Sequence, residues 1–126
     1  MRNQKREEPS PWSGEPRLVE NEAFFAVYDK YPVSKGHMLI VSKRDVCDLF
    51  DLTEDEFCAL HEIIHHVKNF LDSEYAPQGF NIGANCGVCA GQTIFRFHLH
   101  VIPRYNGDIA NPRGGIRNIK EPDVTY

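Results

Sequence analysis

Two features that would point to a membrane or a nucleic-acid partner are missing from this 126-residue chain. No apolar run approaches the roughly 18–20 residues that a helix needs to cross a bilayer. Positive charge is also scarce, because 14 Lys and Arg stand against 18 Asp and Glu, for a net charge of -4. Nucleic-acid-binding domains usually carry a basic surface. The sequence therefore predicts no membrane, DNA or RNA partner, and leaves room only for a local cationic site.

The first residues also lack the apolar core of a signal peptide, since residues 1–9 read MRNQKREEP. This absence predicts a cytoplasmic protein. In that compartment the four cysteines (Cys47, Cys58, Cys86 and Cys89) are expected to remain free thiols. The length and the 41% hydrophobic content fit one domain with a core of its own.

Composition divides the chain into a polar tail at residues 1–16, a domain at residues 17–117 and a second tail at residues 118–126. The first tail is rich in proline and polar residues, and we expect it to be flexible, with Trp12 as a candidate for docking. The second tail follows a stretch rich in Gly, Pro and Asn, which predicts irregular structure.

Within the domain, hydrophobic patterning predicts four strands and one long helix. Thr53-Glu-Asp-Glu56 is a capping box, and apolar residues at helical spacing follow it as far as Tyr75. The strands are predicted at residues 22–29, 37–42, 79–84 and 94–103, and the first two pair as a hairpin. The order β-β-α-β-β predicts an α+β domain, an antiparallel sheet with one long helix packed on it.

The most informative segment is GQTIFRFHLHVIPR at residues 91–104. Arg96, His98 and His100 alternate with apolar residues, so a strand would place all three on one face, roughly 6–7 Å apart. Imidazole can attack phosphorus, and cationic groups stabilise the charge that develops. This row therefore predicts phosphate chemistry.

Residues 90–104 closely resemble the signature of the histidine triad (HIT) family, in which three histidines alternate with apolar residues. The resemblance extends to residues 21–37, 81–85 and 111–117, in the same order and spacing. It implies a HIT-like fold that is usually a homodimer and binds purine nucleotides. It also implies cleavage at the α-phosphate through a nucleotidyl-histidine intermediate, which water hydrolyses. Family substrates include nucleoside phosphoramidates and dinucleoside polyphosphates.

The Val-Ile-Pro run after the signature sets its register, and this register puts Arg96 where the family has its first histidine. The resemblance makes His98 the nucleophile, with its other ring nitrogen bonded to the carbonyl of Arg96. His100 then contacts phosphate or handles the leaving group. The Arg96 side chain is either a fixed cation beside the phosphates or the partner of a surface carboxylate. The chain is thus a nucleotide hydrolase or, because of Arg96, a nucleotide-binding protein with little or no turnover.

The resemblance assigns roles to Thr93, Asp29 and His37, and the chemistry of the residue types suggests the other site residues. Their roles are a hydroxyl donor to the α-phosphate or the leaving group (Thr93), phosphate contacts (Asn85, Gly91, Gln92), a ribose acceptor (Asp29) and a hydrogen-bond partner for His100 (His37). Apolar walls around a purine are assigned, more weakly, to Leu18, Phe25, Tyr28 and Ile40.

No cofactor or protein-bound metal is expected, although the nucleotide is free to arrive with magnesium. Two metal motifs were weighed against this expectation. Cys86-Gly-Val-Cys89 has the ligand spacing of a zinc site but no second ligand pair nearby in sequence. His61-Glu-Ile-Ile-His65 matches the zinc-protease pattern, but on a helix of a small domain that the HIT resemblance already accounts for.

Overall fold

The computed structural model describes residues 11–120 as a five-stranded antiparallel sheet with one long helix. This arrangement confirms the predicted α+β class. The strands lie in the order β1-β2-β3-β5-β4, and each pairs antiparallel with its neighbours. Their bounds are β1 Val19–Glu20, β2 Phe24–Tyr28, β3 Met38–Ser42, β4 Gly79–Gly83 and β5 His98–Arg104; the helix α1 spans Glu54–Tyr75.

Helix α1 begins at the predicted capping box. The hydroxyl of Thr53 accepts the Glu56 N–H at 3.1 Å, and the Glu56 carboxylate accepts the Thr53 N–H at 2.8 Å. The helix ends where Ala76 adopts a left-handed φ of 50°, just before Pro77. One stripe of α1 is buried on the sheet, made of Ala59, Leu60, Ile63, Val67 and Leu71. Among the described residues, no helix combines the length and apolar character that crossing a membrane requires.

The two faces of the sheet have different partners, because successive strand residues point to opposite sides. The face toward α1 carries the main core, with Phe24, Ala26, Met38, Ile40, Leu99 and Val101. The other face, called the open face below, carries a second apolar cluster of Trp12, Phe25, Val27, Leu39 and Val41. His98 and His100 also lie on the open face, since they pair directly with Val41 and Leu39.

Strand β5 begins later than the sequence predicts, at His98 rather than at Ile94. Before it, Phe97 bonds to the end of β3 and to the loop that follows: its carbonyl accepts the Ser42 N–H at 3.2 Å, and its N–H donates to the Val46 carbonyl at 2.8 Å. The residues before β5 therefore pair partly with this loop instead of continuing the strand. The two-residue β1 was not predicted, because so short a strand leaves no alternation to detect.

The predicted boundaries of both tails need correction. Residues 11–15 form a turn in which the Glu15 N–H donates to the Trp12 carbonyl at 3.1 Å, and Trp12 is only 6% exposed. The packed region therefore starts before the predicted boundary at residue 16. At the other end, a 3-10 segment at Gly115–Ile119 crosses the predicted boundary at residue 117. The rest of the two tails, residues 1–10 and 121–126, lies outside the described residues.

The turn before β3 provides a test of this packing. Gly36 has a φ of 88°, and a Cβ added there would lie 3.0 Å from the Tyr75 ring. Gly36→Ala should therefore lower the free energy of unfolding by about 1–3 kcal/mol, measured by urea denaturation. Gly14→Ala is the matched control, because nothing lies within 4 Å of its added Cβ, and it should change stability by less than about 0.5 kcal/mol. Equal losses in both variants would contradict this view of the turn.

Candidate active site

A cavity of about 430 Å³ opens on the face of the sheet that carries His98 and His100. Its volume lies within the range of sites for small molecules. It is bounded by the turn after β2, by the loop that precedes β5, and by β5 itself. Of the predicted site residues, those that line it are Asp29, Asn85, Gly91, Gln92, Thr93, His98 and His100.

Two other surface cavities, of about 390 and 500 Å³, lie around Arg104 and Asp108. There the Arg104 guanidinium forms an ion pair with the Asp108 carboxylate at 2.8 Å. This pairing lowers the pKa of the Asp108 carboxyl to about 2. The two charged groups thus pair with each other, and the cavity beside His98 and His100 is the stronger candidate for a reactive site.

The hydrogen bond of His98 determines which ring nitrogen faces the cavity. Its Nδ1 lies 2.8 Å from the carbonyl oxygen of Arg96, as the resemblance predicted. A carbonyl oxygen only accepts, so Nδ1 carries a proton, and in the neutral ring Nε2 is the nitrogen with the lone pair. His98 is half-buried on the cavity wall. The nitrogen that is left to meet a ligand is therefore Nε2.

A second chain of hydrogen bonds determines the tautomer of His100. The Val33 N–H donates to Nδ1 of His37 at 3.2 Å, so the proton of a neutral His37 sits on Nε2. That Nε2 lies 3.0 Å from Nδ1 of His100, which must then accept, as predicted for this pair. The proton of His100 is left on its Nε2. Within one cavity, His98 offers a lone pair and His100 offers an N–H donor.

Burial keeps both hydrogen-bonded histidines, His37 and His100, neutral. Burial is the largest of the causes that together lower the pKa of His100 to about 4; the neighbouring His37 and His98 lower it as well, and Asp29 opposes the shift. Burial also lowers the pKa of His37, which is 3% exposed, again against the opposing charge of Asp29. At neutral pH, His37 and His100 are therefore uncharged.

The predicted contact of Arg96 with phosphate is corrected by the structure. Arg96 is buried, and its guanidinium donates to the backbone carbonyls of Ser42 at 3.0 Å and Lys43 at 2.8 Å. These carbonyls end β3 and start the following segment, and Arg96 does not line the cavity. The side chain holds the chain just before β5, while the carbonyl of the same residue holds His98.

The loop before β5 is held by Gln92 rather than by the sheet. The Gln92 side chain accepts the Gly87 N–H at 2.8 Å and donates to the carbonyls of Cys47 and Ile94. With both of its N–H groups engaged and 4% exposure, Gln92 positions the loop, which corrects its predicted role as a substrate contact. Gly91 has a φ of 96°, and an added Cβ would lie 3.6 Å from the Asn85 amide.

The remaining predicted contacts, Thr93 and Asn85, are exposed on the cavity wall and free to meet a ligand from the same loop. Asp29 lies at the opposite rim. Its Oδ1 accepts the Tyr31 N–H at 2.9 Å, which is ordinary turn chemistry. Its Oδ2 lies 3.4 Å from Nε2 of His37. Asp29 thus anchors the turn and also faces the pair of buried histidines.

The apolar wall of the cavity differs from the weaker assignment made from sequence. Tyr28 and Ile40 pack on the α1 side, and neither Leu18 nor Phe25 lines the cavity. The apolar lining comes instead from Pro11, Trp12, Leu39 and Ile94. Trp12 was missed as a site residue because its segment reads as a polar tail, although a single large apolar side chain in such a tail is a usable signal.

Neither metal motif gains a third ligand among the described residues. Both cysteines are free thiols; Cys86 precedes the short 3-10 turn at Val88–Ala90, and Cys89 lies within it. His61 and His65 lie on the exposed side of α1 with ring centroids 4.8 Å apart, and Glu62 between them accepts a hydrogen bond from Asn21.

A different group of side chains has three possible ligand atoms within 4.8 Å of one another, namely Asp29, His37 and His100. However, the Val33 N–H occupies Nδ1 of His37, so the proton stays on Nε2, the atom that would have to bind the ion. The donor set therefore suits a hydrogen-bond relay better than a metal.

Comparisons with known proteins agree with this geometry. The HIT domain family matches residues 14–107, which is more than half of the chain. The AP-4-A phosphorylase of Mycobacterium tuberculosis is 33% identical over 107 residues, covering 78% of this chain and 55% of that protein. The asymmetrical bis(5'-nucleosyl)-tetraphosphatase of Schizosaccharomyces pombe is 35% identical over 79 residues, covering 63% and 43%. The chain thus spans about half the length of these two curated relatives.

Among solved structures, a HIT family protein from Bacillus anthracis superposes with a TM-score of 0.69 at 34% identity. The match covers 82% of this chain and 76% of that one. The similarity confirms the predicted HIT-like fold.

The low pKa of His100 predicts how stability depends on pH. Its folded pKa of about 4 lies below the ordinary 6.5, so the unfolded chain binds the proton more readily. The stability linked to His100 is therefore present above pH 6.5 and is lost as the pH falls toward 4. Between pH 7 and pH 4.5, the wild type should lose about 2 kcal/mol more than His100→Asn, whose amide oxygen can still accept from His37.

The comparison is made by urea denaturation at each pH, with His66→Asn on the exposed side of α1 as the control. His37, Glu20, Glu56 and Asp108 also have lowered pKa values, but all four residues are kept in the three proteins, so the comparison isolates the change at residue 100. Parallel curves for the wild type and His100→Asn would contradict the assignment.

Proposed function

The chain belongs to the HIT domain family, and on that premise we propose that it is a nucleotide hydrolase that cleaves purine nucleotides at the α-phosphate. The reaction proceeds through a nucleotidyl-His98 intermediate. The observation that carries this proposal is the 2.8 Å bond between Nδ1 of His98 and the Arg96 carbonyl. In the neutral ring this bond leaves the Nε2 lone pair on the wall of a cavity large enough for a nucleotide.

In the first step, the Nε2 lone pair of His98 forms a bond to the α-phosphorus. The bond from that phosphorus to the leaving group breaks, and its electron pair departs with the leaving group. The imidazole becomes cationic, and its Nδ1–H remains bonded to the Arg96 carbonyl. This bond strengthens as the charge develops, so it stabilises the transition state more than the free enzyme.

In the second step, water attacks the phosphorus and loses a proton to solvent. The P–N bond breaks, its electron pair returns to Nε2 of His98, and the nucleoside monophosphate is released. The Nε2–H of His100 donates to a phosphoryl oxygen, and Thr93 and Asn85 add donors from the loop. Asp29 accepts from the ribose hydroxyls at the other rim. No cofactor is required, and magnesium enters only with the nucleotide.

The neutral state of His100 bears on the leaving group. An amine must take a proton before it leaves, whereas a polyphosphate leaves as an anion at neutral pH. A neutral imidazole with a pKa of about 4 for its cation donates a hydrogen bond but is a poor source of a proton. We therefore rank dinucleoside polyphosphates before nucleoside phosphoramidates. The names of the two curated relatives agree with that order.

The proposal includes a homodimer in the cytoplasm. Strand β4 lies at the edge of the sheet, and its outer side pairs with no strand among residues 11–120. Such an edge is a template for pairing with a second chain. Ile82 on this strand is 40% exposed, and Ile116 beside it is 52% exposed. Together the two offer an apolar surface for a partner.

A nucleotide-binding protein with little turnover is the alternative, because Arg96 stands where the family has a histidine. The structure weakens the reason for it. The Arg96 side chain donates to the Ser42 and Lys43 carbonyls, away from the cavity, and only its backbone meets His98. The role that the first triad residue plays toward His98 is therefore available to any residue.

The covalent intermediate is the first test. Wild-type protein is mixed briefly with a diadenosine polyphosphate or an adenosine phosphoramidate and quenched in mild base, because acid breaks the P–N bond. Intact-protein mass spectrometry should show one added nucleotidyl mass per chain. His98→Ala should show none and should lose at least about 10³-fold in turnover, as expected for removing a nucleophile.

The control variant is His66→Ala, which removes an exposed histidine on α1 and should behave as the wild type. An adduct that persists in His98→Ala would show that another residue is the nucleophile. Nucleotide binding without an adduct or turnover would favour the binding protein.

A second test addresses Arg96. If only its carbonyl serves the reaction, Arg96→His should change kcat by less than about threefold in the fraction that is folded. The same variant should lower the free energy of unfolding by about 1–3 kcal/mol, because the carbonyls of Ser42 and Lys43 lose their donors. Steady-state kinetics and urea denaturation measure the two effects. A gain of more than tenfold in kcat would instead show that Arg96 suppresses turnover.

A further inference from the structure

The single tryptophan of the chain is built into the wall of the active-site cavity. Trp12 is 6% exposed and packs on the open face of the sheet against Phe25, Val27, Leu39 and Val41. Two contacts that follow it hold its segment in place. Glu15 pairs with Lys30 at 3.3 Å, and the Leu18 N–H donates to the Ala26 carbonyl at 2.8 Å. Trp12 therefore cannot leave its position without exposing an apolar cluster.

The indole of Trp12 also lies against the imidazole of His98. The two ring centroids are 4.9 Å apart with 51° between the ring planes, within the range of favourable aromatic contacts. On the same ring, His100 makes a second contact at 5.4 Å and 64°. The nucleophile is thus in contact with two rings, one of them anchored in an apolar cluster.

These ring contacts restrict a motion of the His98 ring that its hydrogen bond leaves open. The bond from Nδ1 to the Arg96 carbonyl determines the tautomer, but the ring can still tilt about that bond. Any tilt moves Nε2, because it lies across the ring from Nδ1. In-line attack requires Nε2 to approach phosphorus along one direction, and a displacement of about 1 Å can cost about 10²-fold in rate.

We propose that Trp12 is a positioning residue for His98, holding the imidazole at the tilt that directs Nε2 into the cavity. The proposal rests on the proposed function, since it concerns the nucleophile of that reaction. It assigns a role in the chemistry to a segment that precedes the first strand. The role is carried by the ring itself and not by the apolar volume that Trp12 supplies to the cluster.

Three variants separate the ring contact from core packing. Trp12→Leu keeps an apolar side chain in the cluster but removes the ring. Trp12→Phe keeps a ring that can contact His98. Phe25→Leu is the matched control, because it makes the same kind of change in the same cluster at a residue that does not line the cavity. Thermal unfolding and circular dichroism establish that each variant is folded before its kinetics are compared.

The measured quantities are the single-turnover rate of nucleotidyl-His98 formation with a saturating diadenosine polyphosphate, and the steady-state KM. Trp12→Leu should slow adduct formation more than tenfold while KM changes less than threefold. Trp12→Phe and Phe25→Leu should both stay within about threefold of the wild-type rate. If Trp12 only supplied apolar volume, Trp12→Leu and Phe25→Leu would slow the reaction to a similar extent.

Other outcomes overturn the proposal. Equal rates for Trp12→Leu and the wild type would show that the ring contact does not position His98. Equal losses in Trp12→Leu and Phe25→Leu would assign the effect to the cluster as a whole. If Trp12→Leu does not fold, a loss of more than tenfold in Trp12→Phe would also reject ring contact as the cause. An adduct in the wild type with any of these results leaves the proposed function standing. No adduct in the wild type would reject the proposed function and this inference together.

Discussion

The hydrogen bond from Nδ1 of His98 to the carbonyl of Arg96 is the interaction on which the rest of the site depends. It selects one tautomer and so determines which nitrogen meets a ligand. The acceptor belongs to the main chain, and every residue has a carbonyl there. What the position requires is therefore a backbone path and not a side chain. That path is secured by the buried guanidinium of Arg96 on the segment after β3.

The other two histidines of the site, His37 and His100, carry no charge of their own at neutral pH. His37 and His100 are neutral because they are buried, and the chain of donors from Val33 orders their protons. An anionic ligand therefore meets oriented N–H groups and one lone pair rather than a cluster of cations. Oriented donors of this kind need little rearrangement as charge develops on phosphorus.

Much of the fold could be predicted because its signals are local. The capping box of Thr53 and Glu56, the apolar stripe of α1 and the β2–β3 hairpin are each contained in a short stretch of sequence. The alternation of histidines with apolar residues likewise predicted that His98 and His100 share one face of β5, the face on which the cavity opens. The parts that were missed depend on contacts between distant segments. Phe97 bonds to Val46, and Trp12 packs on β2 and β3, and no local pattern encodes either contact.

The site residues divide in the same way. Predicted site residues do line one cavity, among them Asp29, Asn85, Thr93, His98 and His100. A family pattern can predict such a set because it preserves the spacing of residues in the fold. It could not show that the side chains of Gln92 and Arg96 turn toward the backbone.

The anchored Trp12 also has a practical value. As the only indole in the chain, it makes the tryptophan fluorescence of the protein a report from one point beside His98, without any label.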